Sequence, residues 1–259
     1  MLQKDNWQLR NVWVLILCLL ISLSGSLLYY RSLQQASAEH IRGISTYYSD
    51  RTENFINTVF HKTDVLAAVV RLQRGNISKE TFDKVVPLVY TENSGIRGIQ
   101  YMPKGIVTYS YPVVGNEAVI GKDFFKIPER RKDVMLAVDT KSIALSGPYH
   151  LLQGGLGVVA RNPVFLTDDN GIEYFWGFSA IILDLPKAIE SVGLTRLSEQ
   201  GYDFQLFCIN ENNERLVIEG NPNLKVKDAV FHKVQVPHHE WTLALTQVNP
   251  WVNQGKAGL

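Results

Sequence analysis

An uncharged run of 20 residues near the N-terminus constrains this chain more than any other feature. The run extends from Asn11 to Tyr30 and is bounded by Arg10 and Arg31. A helix of that length spans about 30 Å, the thickness of the hydrocarbon core of a bilayer. Aromatic residues stand near both ends, as in a membrane-interface belt. The sequence therefore predicts an uncleaved membrane anchor over 11–30.

Two alternatives to the anchor stay open, a cleaved signal peptide and a buried soluble helix. The triplet from Ala36 to Ala38 has the small-x-small form of a cleavage site, although it lies well past the apolar run. A short tail, 1–10, precedes the span, and the whole remaining chain follows it. This asymmetry predicts a cytoplasmic tail and an exported domain over 31–259.

Composition excludes several function classes. Lys and Arg total 26 and Asp and Glu total 25, so a net charge of +1 argues against a nucleic-acid binder. Cys18 and Cys208 are the only cysteines, too few for a disulfide framework or a cysteine zinc site. We find no catalytic motif, and expect no enzyme activity, no cofactor and no metal. His238, His239 and Glu240 are interpreted as a turn beside Pro237, because adjacent strand residues point to opposite faces.

The segment 31–75 is predicted to be one long stalk helix. It contains no proline, and Gly75 provides a natural stop. Apolar residues recur along it at spacings of three, four and seven. That stripe either covers the chain's own domain, pairs two stalks in a homodimer, or does both. The stripe consists of Ile41, Ile44, Tyr48, Phe55, Val59, Leu66 and Val69.

The remaining sequence predicts an α+β domain with antiparallel sheets. We expect two PAS-like lobes, a membrane-distal one over 76–185 and a membrane-proximal one over 186–259. The predicted helices are 79–87, 129–139 and 186–200. The predicted strands are 96–102, 105–113, 142–146, 156–165, 173–185, 203–210, 215–219, 229–236 and 241–248, with turns at 168–171 and 212–213.

One cluster of residues predicts binding. Arg130 and Arg131 lie on the short helix 129–139, and Arg161 lies in a neighbouring strand. Tyr109 and Tyr111 share a face of another strand. Arginines beside aromatic rings suit an anionic or carboxylate ligand. The alternative is that the arginines form a solvated helix face.

The stretch from Tyr109 to Leu185 resembles the CHASE domain, a sensor domain of cyclases and histidine kinases. The resembling pieces are YPVVGNEAVIGKDFF (111–125), PERRKDVMLAVDT (128–140), LSGPYHLLQGGLGVVARNPVF (145–165) and GFSAIILDL (177–185). The resemblance implies a long N-terminal helix that carries two PAS-like lobes in the bacterial periplasm or outside the cell. It also implies a small-molecule pocket in the distal lobe, a second span beyond residue 259, and a cytoplasmic output such as a diguanylate cyclase, phosphodiesterase or histidine kinase.

The resemblance to the plant cytokinin receptors within this family places their pocket residues at Arg130, Leu152 and Arg161. Arginine stands here where those receptors have an acidic residue and a threonine, which favours an anionic ligand over a cytokinin. The predicted ligand site comprises Arg130, Arg131, Leu152, Arg161, Tyr109, Tyr111 and Ser146.

Two functions follow as expectations. The first is a membrane-anchored sensor that binds a small anion and signals through a dimeric stalk. The second is a periplasmic module that reads a protein partner such as a solute-binding protein. A closed pocket at the arginines favours the first, and an exposed apolar patch without a cavity favours the second.

Overall fold

A computed structural model describes residues 2–210, 213–224 and 229–248. The chain divides into two compact units, Met1–Ile44 and Ser45–Leu259. In the first unit, the side chains from Trp13 to Leu33 are exposed to solvent. Among the described elements, α1 is the one helix long and apolar enough to cross a membrane, with a mean hydropathy of 2.0 over its most apolar window.

The elements alternate between helices and antiparallel strands. The helices are α1 Leu2–Leu72, α2 Lys79–Val89, α3 Pro128–Thr140, α4 Leu185–Val192 and α5 Arg196–Glu199, with 3-10 turns at Glu117–Val119 and Phe124–Lys126. The strands are β1 Ile96–Pro103, β2 Tyr109–Tyr111, β3 Ala144–His150, β4 Leu156–Thr167, β5 Glu173–Asp184, β6 Tyr202–Ile209, β7 Arg215–Gly220, β8 Val230–Val236 and β9 His239–Gln247.

The strands form two antiparallel sheets. Sheet A has the order β2-β1-β5-β4-β3, and sheet B has the order β7-β6-β9-β8. Each sheet uses consecutive stretches of the chain, as hairpin-connected strands do. The predicted α+β fold, with a long N-terminal helix and two antiparallel sheets, is confirmed.

Helix α1 packs on one face of sheet A. Tyr101 on β1 donates its hydroxyl hydrogen to the carbonyl oxygen of Leu66 (2.8 Å), and Ser179 on β5 donates to that of Thr63 (3.0 Å). Both hydrogen bonds are buried. Because buried polar groups need partners, these bonds fix the position of the helix along the sheet.

The opposite face of sheet A holds an apolar core beneath α3. Met102, Phe178 and Ile182 come from the sheet, and Val134 and Ala137 come from α3. Cross-strand neighbours share a face, so alternate residues of β1, β4 and β5 point toward α3. This core surrounds the candidate site described below.

Sheet B packs its inner face with Trp241, Leu243 and Leu245 of β9, which are buried. Helix α1 also reaches this sheet, because the side-chain oxygen of Glu53 accepts a hydrogen bond from the backbone N–H of Gln235 (2.6 Å). The two sheets thus share α1 as a common support within the second unit.

The predicted apolar stripe of the stalk is covered by the chain's own domain. Its members Tyr48, Val59 and Leu66 are buried, and Phe55 and Val69 are half-buried. The stripe therefore packs intramolecularly, which was one of the expected uses of this face.

The predicted strand over 105–113 is wrong over most of its length. Only Tyr109–Tyr111 pairs as a strand. Lys104 and Gly105 have positive φ angles, and Val107 donates its N–H to the carbonyl oxygen of Lys122 instead of to a strand. The chain turns away from the sheet there and returns only at β2.

Two further boundaries differ from the sequence prediction. Strand β3 continues past Gly147 to His150, because a register shift between Ser146 and Tyr149 absorbs the glycine and proline. The predicted helix 186–200 is two short helices, since Gly193 adopts a left-handed conformation (φ +83) that ends α4. Position 212 of the predicted turn, and the predicted proximal lobe over 225–228 and beyond residue 248, lie outside the described residues.

Candidate functional site

A small cavity lies between the α3-facing side of sheet A and the segments that cover it. Its volume is about 20 Å³, room for about one water molecule. It is lined by Gln100, Val119, Phe124, Arg130, Tyr149, Leu151, Leu152, Gln153, Val159, Arg161 and Ile182.

The floor of the cavity is made by the three central strands of sheet A. Gln100 on β1 and Arg161 on β4 both pair across β5 with Ala180, and Val159 pairs with Ile182. Residues paired directly across strands share a face, so these side chains converge. The hydrogen-bonded sheet makes this floor the rigid side of the site.

Arg161 places a buried guanidinium against the cavity. Its exposed fraction is 1%, and its Nε and Nη1 atoms are buried with no hydrogen-bond partner among the described residues. The guanidinium carbon lies 5.3 Å from the centre of the Phe124 ring. Burial lowers the pKa of Arg161 to about 10, while Asp133 acts to raise it and Arg130 to lower it. The side chain is therefore charged at neutral pH, and two of its nitrogen atoms lack a hydrogen-bond acceptor within the described chain.

Two further polar groups beside Arg161 also lack partners. The amide nitrogen of Gln100 and the hydroxyl of Ser146 are buried without a hydrogen bond within the described chain. Gln100 lines the cavity, and Ser146 lies across from Val159 of its floor. The nitrogen atoms of the guanidinium and of the amide can only donate hydrogen bonds. The site therefore contains hydrogen-bond donors without acceptors, and it suits a ligand rich in acceptor oxygens.

Arg130 forms a second positive group at the rim. It donates from Nη2 to the carbonyl oxygen of His150 (2.8 Å), and its guanidinium stacks 3.7 Å from the centre of the Tyr149 ring. Burial lowers its pKa, while Glu129 and Asp133 act to raise it. The Tyr149 hydroxyl donates to the carboxylate of Asp133. The described lining thus has two arginines and no acidic side chain.

The structure brings three of the predicted site residues together. Arg130, Leu152 and Arg161 all line the cavity, and Ser146 lies beside its floor. Of these, Arg161 and Ser146 are fully buried, whereas Leu152 is 46% exposed.

The other predicted site residues lie elsewhere. Arg131 is exposed on α3. Tyr109 donates its hydroxyl hydrogen to the carbonyl oxygen of Ile77 (3.2 Å) and stacks on Phe82 of α2. Tyr111 makes an edge-on contact with Tyr90. Strand β2 therefore directs both tyrosines toward the α2 side of the domain.

Sequence reasoning missed Gln100, Phe124 and Tyr149. Gln100 had a usable signal, because it is a polar residue inside an otherwise apolar strand (IRGIQYMP). Phe124 and Tyr149 had no such signal, since aromatic residues near turns are common in cores of any kind.

The structure is an α+β fold of two antiparallel sheets, with a small arginine-lined cavity on one face of sheet A. Residues 104–218 match the family model described as the CHASE domain. This match confirms the resemblance of residues 104–218 to the CHASE sensor domain. The matched region runs from the end of β1 into β7 and therefore includes strands of both sheets.

Comparison with solved structures supports the fold. An extracellular ligand-binding receptor from Desulfohalobium retbaense DSM5692 superposes with a TM-score of 0.63 at 12% identity, over 80% of this chain and 40% of that one. The chain thus spans well under half the length of that receptor.

Two structures of the LuxQ periplasmic domain from Vibrio cholerae also match. Their TM-scores are 0.46 and 0.43, at 10% and 12% identity, over 80% of this chain and 98% and 99% of theirs. No curated protein matches the sequence.

Proposed function

We propose that this chain is a membrane-anchored extracytoplasmic sensor whose sheet A cavity binds a small anion. The α1 helix supplies the anchor, and the domain after it lies in the periplasm or outside the cell. Binding is transmitted through α1 to a cytoplasmic output of the diguanylate cyclase, phosphodiesterase or histidine kinase type. The proposal includes the predicted second span beyond residue 259.

The buried guanidinium of Arg161, two of whose nitrogen atoms lack a hydrogen-bond partner among the described residues, carries the proposal. A buried charge is costly to maintain unless it is paired and hydrogen-bonded. Here the charge sits at a cavity with a second arginine and an unpartnered amide, the described lining has no carboxylate, and Asp133 acts on the charge only from outside that lining. An anion is the ligand that satisfies all of these groups at once.

The same site argues against a cytokinin-like purine as the ligand. An adenine ring needs an acceptor for its exocyclic amine, and arginines offer none. The small cavity further requires that the covering segments move when any molecule larger than water binds.

A thermal-shift experiment on the full chain in detergent tests this function. The probes are acetate, benzoate, succinate, inorganic phosphate and adenine. A bound anion at 100 times its Kd adds about 2.7 kcal/mol of stability, which raises the Tm by about 5–10 °C. We expect at least one anion, and not adenine, to produce this shift.

The matched variants are Arg161→Met and Arg131→Ala. The first removes the buried charge while keeping an unbranched side chain, so the anion shift should disappear. The second removes an exposed arginine of α3 and should keep the shift. If adenine alone stabilises the protein, or if Arg161→Met keeps the full anion shift, the anion-binding function is wrong.

An open groove favours a second candidate, a module that reads a protein partner. Arg71, Arg74, Phe165 and Tyr174 border a groove of about 770 Å³ at the end of α1. Arginine and aromatic side chains are enriched at protein interfaces. Failure of every anion to stabilise the protein would favour this function over the sensor of a small molecule.

We also propose that the sensor is a homodimer through α1. The residues of α1 that face away from the sheets recur at alternating spacings of four and three, the pattern of a coiled-coil seam. They are Tyr47, Arg51, Asn54, Thr58, His61, Val65, Ala68 and Leu72, all exposed. We call this set the outer stripe; a second copy of the chain is its proposed occupant.

A further inference from the structure

We propose that the loop Leu151–Gly155 is a lid over the cavity and that Arg97 is the residue that holds it closed. This proposal deepens the proposed function, because it concerns access to the same site. The loop joins β3 to β4, and its first three residues line the cavity. Two hydrogen bonds within the loop make it a compact unit. The N–H of Leu151 donates to the carbonyl oxygen of Gly155 (2.9 Å), and the N–H of Gly154 donates to that of Leu151 (2.9 Å).

Arg97 holds this lid through hydrogen bonds from outside the cavity. Its Nη1 donates to the carbonyl oxygen of Gly154 (2.7 Å), and its Nη2 donates to that of Gln153 (2.5 Å). A third bond comes from the Gln153 amide, which donates to the side-chain oxygen of Asn116 (3.1 Å). Asn116 is itself fixed, since its amide donates to the carbonyl oxygens of Arg97 and Pro112.

Arg97 is therefore a positioning residue for the lid. It does not line the cavity, and its guanidinium bonds the lid at the backbone carbonyls of Gln153 and Gly154. Two charge-assisted bonds from one guanidinium to adjacent carbonyls define the loop position better than a single bond.

The lid is the part of the cavity wall that moves with the least disruption. The floor is a hydrogen-bonded sheet, and Phe124 of the cover is a buried member of the apolar core, whereas Leu151 of the lid is half-buried and packs against that core. The lid instead has no strand pairing, and Leu152 and Gly154 are exposed. Segments with few buried contacts open at lower free energy than core strands.

When the lid opens, Arg97 still has an acidic side chain nearby. The carboxylate of Asp184 lies 3.8 Å from Nη1 of Arg97, and the side chains of the two residues are exposed to solvent to the same small extent. Asp184 also accepts the backbone N–H of Lys187 at the start of α4. The guanidinium thus has an acceptor in both positions of the lid, which keeps opening reversible.

Cysteine labelling tests the lid without any ligand. The protein is the full chain in detergent with Cys18→Ser and Val159→Cys, which places a thiol on the cavity floor. Cys208, buried in sheet B, is the internal control. Methyl methanethiosulfonate is the probe, and mass spectrometry measures the modification rate of each thiol. Where opening and closing are faster than labelling, the rate reports the open population.

We expect Arg97→Ala to raise the labelling rate of the floor thiol at least about tenfold, since losing two charge-assisted bonds shifts the closed lid toward its open state. The rate at Cys208 should not change. Arg97→Lys should restore part of the protection through a single donor. The matched control is Arg215→Ala, which removes an arginine stacked on Phe207 of sheet B and should leave the floor rate unchanged.

Two results would overturn the lid. One is an unchanged floor rate in Arg97→Ala. The other is an equal rise at both thiols, which would mean that Arg97 stabilises the whole domain. If Val159→Cys does not fold, Ile182→Cys provides the reporter from the same floor. Because no anion is involved, the lid and the anion-binding function succeed or fail in separate experiments.

Discussion

Arg161 is a buried charge whose hydrogen-bonding capacity is only partly used within the described chain. Its charge is buried, the carboxylate of Asp133 on α3 acts on it electrostatically, and two of its nitrogen atoms have no hydrogen-bond partner in the described chain. A residue selected for stability alone would be apolar here, because the surrounding side chains belong to the apolar core.

Arg161→Met should therefore stabilise the ligand-free protein or leave it unchanged. Replacing buried charges by apolar side chains of similar size is neutral or stabilising by about 1–4 kcal/mol. Urea unfolding of the full chain in detergent measures the change. Arg215→Met is the comparison, since Arg215 donates to Gln205 (3.1 Å) and its loss should destabilise by about 1–3 kcal/mol. A loss above about 2 kcal/mol in Arg161→Met would show that the guanidinium is a structural group.

The candidate site was only partly predictable from sequence, and the reason lies in individual residues. Arg130, Leu152 and Arg161 converge as the family resemblance implied. Tyr109 and Tyr111 do not, because alternation shows that two residues share a face but not which layer covers that face. Here α2 covers it.

At the scale of elements, hydrophobic periodicity predicted the type of the long helices and strands, but it did not predict where the short elements end. The stripe of α1 and the apolar runs of β4 and β5 gave their type and bounds closely. The helix break at Gly193 and the turn at Gly105 depend on left-handed conformations that a glycine permits but does not require. Tertiary packing decides which glycines use that freedom.

The junction between β1 and α4 is one place where packing makes that decision. Gly95 has a positive φ (+79), and a Cβ atom there would lie 2.5 Å from the Cα atom of Ala188 on α4. Its carbonyl oxygen also accepts the N–H of Asp184 (2.9 Å). The strand and the helix backbone approach each other too closely for any side chain.

Gly95→Ala should be much more destabilising than Gly115→Ala. Both glycines have φ near +80, so both substitutions incur the left-handed penalty of about 1 kcal/mol. Gly115 has open space around its Cβ position, whereas Gly95 would force α4 to move. We expect Gly95→Ala to lose at least about 2 kcal/mol more in urea unfolding, as overpacking does. Equal losses would mean that α4 is free to shift.

At the scale of the whole molecule, α1 serves several purposes at once. Its N-terminal part is the candidate membrane span, and residues in the second unit support both sheets. The outer stripe is apolar at Tyr47, Val65 and Leu72 but polar in its middle. Polar residues at seam positions weaken a coiled coil while specifying its register. A weak seam suits a sensor, because a ligand shifts an equilibrium only by its differential affinity for the two states.

Disulfide cross-linking in native membranes tests the proposed dimer. In a Cys18→Ser background, Val65→Cys places a thiol on the outer stripe, and Asn170→Cys places one at the exposed β4–β5 turn as a control. A disulfide needs Cα atoms within about 7 Å, so an α1 seam should cross-link Val65→Cys at least about tenfold faster than the control. Equal rates would indicate random collision. Should neither Val65→Cys nor His61→Cys cross-link faster than the control, the outer stripe is not a subunit interface, and signalling through paired α1 helices would have to be abandoned.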